Sequence, residues 1–123
     1  TEVLKRLLTA ERAAVSVQCL TEFYNATTRR LPELLVPQVA LEQVGRLVQS
    51  CLVLDLTPTI VLEACRGSSQ HQLSIWDGLI WASAKMNGVP YVLTEDAEHG
   101  RFLEGVTYLN PFDPRFDLAP LLA

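Results

Sequence analysis

Three acidic residues in this chain could share one task. Asp77 falls in the first turn of an apolar helical run, LSIWDGLIWASA (Leu73 to Ala84). Asp96 follows an apolar, strand-like run in PYVLTEDAEHG (Pro90 to Gly100), and Glu22 sits on the helical stretch after an earlier short strand. Carboxylates drawn from separate segments, where strands end and helices begin, are the hard oxygen ligands that a divalent cation takes. An ion held that way activates water against a phosphodiester, so the expected chemistry is that of a metal-dependent nuclease. Asn25 and Arg29 follow Glu22 by one and two turns on the same face, placed to meet a substrate phosphate. Thr94, at the strand end before Asp96, offers a hydroxyl to a carboxylate or a bound water.

Each of these residues also has an ordinary structural explanation. Ser74-Ile-Trp-Asp77 matches a capping box with Asp in place of Glu or Gln, in which the carboxylate bonds the start of its own helix. Glu22 suits the positive end of a helix, and an acid on an amphipathic surface needs no further role. Asp96 lies in a polar turn, where Asx-type bonds are common. The three together, rather than any one, carry the metal reading. Gly78 costs helix stability but leaves room for a close approach to the backbone. Glu95 and Glu98 flank Asp96, and His99 is either a proton carrier or a surface histidine. Phe23, Tyr24 and Trp76 are expected in the core, and Trp81 is the aromatic left open between core and site.

The elements that position these residues follow from the hydrophobic periodicity. Val3, Leu4, Leu7 and Leu8 predict an amphipathic helix over residues 2–9. Ala13 to Val17 reads as a short buried strand, and Gln18 to Arg30 as a helix with Cys19, Leu20, Phe23 and Tyr24 facing inward. Pro37 opens a further helix reaching about residue 50. Cys51 to Leu56 reads as a strand, and Thr57-Pro58 as the cap and first position of another helix. Gly67-Ser-Ser-Gln70 reads as a polar break. Ser74 caps a helix to Asn87, which Gly88 stops. Tyr91 to Thr94 and Val106 to Leu109 are the remaining strands, separated by a polar turn. Short apolar strands alternating with helices predict an α/β sandwich around a mostly parallel sheet.

Composition narrows the setting. With 123 residues, 49% of them hydrophobic, the chain has material for a core. No uninterrupted apolar run reaches the ~18 residues of a membrane span, and no basic-then-apolar leader precedes the first helix. Cys19, Cys51 and Cys65 make no CxxC pair and lie in apolar runs, which predicts buried reduced thiols and a cytoplasmic protein. His71 and His99 have no finger-like ligand partners. A net charge of −4 argues against indiscriminate nucleic-acid affinity. Lys5-Arg6, Arg29-Arg30, Lys85 and Arg101 are the cations available to line a phosphate path.

Four segments, VSVQCLTEFYNATTRR (Val15 to Arg30), LSIWDGLIWASA, VLTEDAEHG (Val92 to Gly100) and VTYLNPF (Val106 to Phe112), occur in an order and spacing that resemble a PIN-domain ribonuclease, specifically the VapC-type toxins of bacterial toxin–antitoxin pairs. The resemblance covers residues 2–113 and leaves 114–123 as a tail. It implies a three-layer α/β/α fold around a mostly parallel sheet. It also implies Mg²⁺- or Mn²⁺-dependent endonucleolytic cleavage of RNA, an antitoxin protein as partner, and a homodimer. By position, Glu22, Asp77 and Asp96 match the second, third and fourth acids of the family's metal site. His99 stands where related sequences commonly carry a further Asp, with Glu98 its nearest substitute.

The family's first acid belongs to an N-terminal strand with an Asp-Thr-Asn pattern, and the 123 residues contain no such motif. The expectation is therefore a PIN-like sandwich lacking its first strand, with weakened metal affinity and exposed sheet edges that a second copy would cover. The competing expectation is a non-catalytic module for dimerisation and antitoxin binding. A phospho-acceptor receiver domain also gathers acids at strand ends. It fits poorly, because two helical runs follow one another between Thr57 and Asn87 without an intervening strand.

Overall fold

The apolar run around Val15 forms a short strand, β1 (Ala14–Ser16), and Ser16 converts it directly into helix α1 (Val17–Arg29). The Ser16 hydroxyl accepts a hydrogen bond from the Cys19 amide at 3.2 Å, satisfying one of the orphan donors at the helix start. The structure is a computed structural model that describes residues 13–95 and 97–122; the helix expected over residues 2–9 lies outside them. The chain forms two units, Thr1–Asp55 and Leu56–Ala123.

In the first unit, α1 ends near Arg30, and Leu35 donates its amide back to the Thr27 carbonyl at 2.8 Å. Pro37 occupies the first turn of α2 (Pro37–Ser50), as its fixed φ allows. Strand β2 (Leu52–Leu54) follows, shorter than expected, and runs parallel to β1 with Val15 opposite Val53. Among the described residues of this unit only Ala40, Leu54, Ser16 and Thr27 are buried. Tyr24, expected to face inward, is exposed, as are Leu31, Leu34, Val36, Val39 and Leu41.

The second unit holds the core. Helix α3 (Pro58–His71) is capped by Thr57, whose hydroxyl accepts from the Ile60 amide. Helix α4 (Ile75–Met86) is capped by Ser74. Strand β3 (Tyr91–Leu93) pairs in parallel with β5 (Val106–Leu109), and β4 (Phe102–Leu103) pairs with β5 antiparallel, so β5 is central. A short helix, α5 (Ala119–Leu122), lies in the tail. Ile60, Ala64, Leu79, Trp81, Ala82, Ala84, Val106 and Tyr108 pack as one cluster.

Two sequence expectations fail here for one reason. The Gly67-Ser-Ser-Gln70 segment is no break: α3 runs through it to His71. Gly67 is buried, and a Cβ there would sit 2.2 Å from the Trp81 ring, so the glycine makes room for the indole. Trp81 is fully buried, while Trp76, expected inside, is 63% exposed. What approaches Gly78 is the backbone of α3, since a Cβ there would lie 2.8 Å from the Ala64 carbonyl oxygen. The two helices thus meet through small residues at two points.

The strand β4 was not anticipated. Glu104 and Gly105, with φ of 48° and 92°, make the tight turn between β4 and β5. Left-handed backbone at both central positions suits a two-residue hairpin, but Glu-Gly lacks the Asn or Asp that usually signals it. The cysteines also depart from expectation: Cys19 and Cys51 are half-buried and Cys65 is exposed, all three as free thiols.

The glycines give a paired prediction. Gly45, inside α2, has nothing within 4 Å of a built Cβ, so Gly45→Ala should raise stability by about 0.5–1 kcal/mol through helix propensity. Gly67→Ala gains the same propensity but meets the indole, and should lower stability by about 1–3 kcal/mol. Urea unfolding midpoints of the two variants, moving in opposite directions, would check this.

Candidate functional site

Asp77 lies in the first turn of α4, where its amide donates to the Ser74 hydroxyl at 3.1 Å. That is half of the capping box anticipated from sequence. The return bond from the carboxylate is not made: among the described residues the Asp77 side chain accepts no hydrogen bond, and the residue is exposed. The carboxylate therefore stands at the positive end of a helix with its oxygens uncommitted.

Tyr108, on β5, is the buried neighbour of that charge. Its hydroxyl is shielded from solvent and finds no hydrogen-bond partner among the described residues. Burial, above all, pushes the phenol upward; Arg101 pulls it down, and the Asp77 charge adds to the rise.

Glu22 belongs to the first unit. It is exposed on the second turn of α1, with the Gln18 side-chain amide donating to its Oε1 at 3.4 Å. Asn25 and Arg29 continue along α1 and are exposed as well. Asp96 lies outside the described residues. Among the described residues next to it in sequence, Thr94 donates its amide to the Leu109 carbonyl at 3.0 Å, and Ala97 packs against the core cluster. Among the described residues, no three His, Cys, Asp or Glu side chains gather as ligands of one ion. No helix among them is long and apolar enough to cross a membrane.

A PIN-domain family model matches residues 1–103. The chain belongs to the PIN-domain family. It is α/β with parallel strand pairing, compatible with a PIN-like fold. PIN domains are generally metal-dependent nucleases that act on RNA. No curated protein matches the chain closely enough to count as a relative.

The densest group of titratable side chains among the described residues of this PIN domain is elsewhere, around Trp81 in the second unit, and the sequence reading missed it. Arg66 holds Glu63 through two bonds at 2.7 and 2.9 Å and Glu104 through two more at 2.8 and 2.9 Å. Lys85 bonds Glu63 and reaches Glu104 at 3.1 Å, while His71 Nε2 lies 2.6 Å from Glu104. Arg66 and Lys85 also lie over the Trp81 ring, 5.7 and 5.2 Å from its centre. Lys85 is thus committed to structure, against its expected place on a phosphate path. Glu63 and Lys85 are 22 residues apart and Glu104 is 38 from Arg66, so no local spacing announces the cluster.

These pairings shift the acids. Arg66, then Lys85, lowers the Glu63 carboxyl to about 2, and His71, Arg66 and Lys85 bring Glu104 to about 2. Two strongly perturbed carboxyls held by cations make a structural brace rather than a proton-transfer pair. Because the folded state favours their ionised forms, their contribution to stability is complete above the ordinary carboxyl value of 4.5 and is lost as pH falls toward 2. The urea midpoint should therefore fall from pH 6 to pH 3 for the parent protein, and fall less for Glu104→Gln.

Proposed function

We propose that this PIN domain is a metal-dependent endoribonuclease, the toxin of a toxin–antitoxin pair, with Glu22, Asp77 and Asp96 as its metal-holding acids. The observation that carries the reading is the free carboxylate of Asp77 at the start of α4, in a chain whose residues 1–103 match the PIN family. The proposed donors are all carboxylate oxygens, with no thiolate or imidazole among them. Such a set fits a hard divalent ion, Mg²⁺ or Mn²⁺, that keeps some of its water.

When bound, the ion supplies the activated water and offsets charge on the phosphodiester oxygens. The protein's own part is to fix the carboxylates and receive the strand. Ser74 sets the first turn of α4 and so the direction of Asp77. Gln18 steadies Glu22. Asn25 and Arg29 are proposed to take a flanking phosphate, with Arg29 offering the charged fork suited to it. Thr94 is proposed to meet the substrate or an ordered water beside Asp96. No side chain needs to act as a covalent nucleophile.

A second reading, a non-catalytic module that dimerises and holds an antitoxin helix, is favoured by one feature. Leu31, Leu34, Val36, Val39 and Leu41 are exposed over a short stretch of the first unit. Apolar surface of that kind is what a second copy or an amphipathic partner helix covers.

Cleavage of a fluorogenic RNA in Mg²⁺ or Mn²⁺ separates the two. Asp77→Asn and Asp96→Asn should each lower the rate by at least about a hundredfold, since loss of a ligating charge outweighs the ~10–100-fold effect of an outer partner. A parent protein that binds no Mn²⁺ and cuts no RNA, yet elutes as a dimer, would support the binding module instead.

A further inference from the structure

Buried polar side chains almost always find hydrogen-bond partners, so one that does not asks for an explanation. Tyr108 on β5 is 6% exposed, and its hydroxyl, closed off from solvent, has no partner among the described residues. The ring accounts for its own burial, since it packs in the core cluster with Leu79 and Trp81. A phenylalanine would fill that space without an unmet donor, so packing does not call for the hydroxyl.

The course of the chain places this ring beside the start of α4. Residues 87–90 lead from α4 directly into β3, which runs parallel to β5, and α4 packs on both strands. The helix therefore runs against the strands, with its first turn near their ends. Trp81 sets the level, because its Nε1 bonds the Leu103 carbonyl and Leu103 pairs with Val106. One helical turn back from Trp81, about 5.4 Å, lies Asp77 on the same helix face. Two residues on from Val106, about 7 Å, lies Tyr108 on the same buried strand face. Both steps lead the same way. After burial itself, the influences on the phenol are the charges of Arg101 and Asp77. Of those two side chains only the carboxylate can accept a hydrogen bond, and among the described residues it accepts none.

We propose that Tyr108 is a positioning residue for Asp77, its hydroxyl donating to one carboxylate oxygen while the other holds a divalent ion. The role rests on the reading of Asp77 as a metal-holding acid. A carboxylate has lone pairs enough for both partners. An outer donor of this kind fixes the direction of a ligand and does not touch the ion. Ser74 sets the backbone of Asp77 through its amide, and Tyr108 would set the side chain. An unmet donor in a packed interior costs stability, the usual mark of a group kept for function.

The test compares the whole chain with Tyr108→Phe and Asp77→Asn. Urea midpoints are taken without added metal, Mn²⁺ affinity is read by calorimetry, and the Tyr108 ζ-carbon is followed by NMR during addition of Mg²⁺. Tyr108→Phe keeps the ring, so its urea midpoint should equal or exceed the parent's, while Mn²⁺ binding weakens roughly tenfold or more. The Tyr108 resonance should move with Mg²⁺ in the parent and stay in place in Asp77→Asn. A lower midpoint in Tyr108→Phe, or a failure to fold, would make the hydroxyl a structural bond and overturn the proposal. Binding within about threefold of the parent in Tyr108→Phe, but lost in Asp77→Asn, would overturn the role of Tyr108 alone. So would a Tyr108 resonance that stays still while Mg²⁺ binds the parent. Unchanged Mn²⁺ binding in Asp77→Asn would overturn the metal reading of Asp77, and the role of Tyr108 with it.

Discussion

A buried indole needs close packing around its ring and a partner for its N–H. In the second unit those demands converge on Trp81. The ring fills the space left by the absent side chain of Gly67, and its Nε1 donates to the Leu103 carbonyl at 3.2 Å. That bond ties α4 to the β4–β5 hairpin, while Gly67 lets α3 come close enough to cover the ring. Arg66 and Lys85 then lie over the indole, and the acids that hold them come from α3 and from the hairpin tip. The hairpin turn, the two helices and the ion pairs are thus arranged around one side chain.

From that brace the unit reaches the end that carries the proposed site. Once α4 is set by Trp81, its N-terminus carries Asp77, directed by the Ser74 cap. Once β5 is set between β3 and β4, its end holds Thr94, Gly100 and His99 through Leu109, Tyr108 and the Asn110 amide. The acid at the helix start and the turn at the strand end are outputs of the same packing, while the carboxylate of Asp77 is left exposed to meet solvent or an ion. The proposed site would keep its ionised groups at the edge of the fold, where desolvation costs least, and leave the rigid interior to hold their backbones.

Much of this could be read from the chain, and particular residues show why. Ser16, Thr57 and Ser74 are side-chain caps whose meaning is local, and each bonds the amide three residues on. Pro37 and Pro58 begin helices because their fixed φ and missing N–H suit the first turn. Strands around Val15, Val53, Val92 and Thr107 were visible as short apolar runs. Gly67, by contrast, looked like a helix breaker because its neighbours are polar; its purpose depends on a ring 14 positions away. Trp76 and Trp81 are both aromatic residues in one apolar run, five apart, and periodicity alone did not say which faced α3. Phe102–Leu103 was too short to read as a strand, and Glu104-Gly105 did not resemble the usual hairpin turn.

The sequence by itself determined the types and order of most elements, β4 and the tail helix aside, with their caps and the acids at their ends, because those depend on φ preferences, spacing and hydrogen bonds within a few residues. Membership in the PIN family follows from the same linear information. Only the tertiary structure decided which tryptophan is core, that Lys85 serves an ion-pair brace rather than a phosphate, and that His99 spends Nδ1 on the Asn110 amide. Each of these is a choice between partners far apart along the chain, and chain-distant contacts are set by packing, which no local pattern encodes.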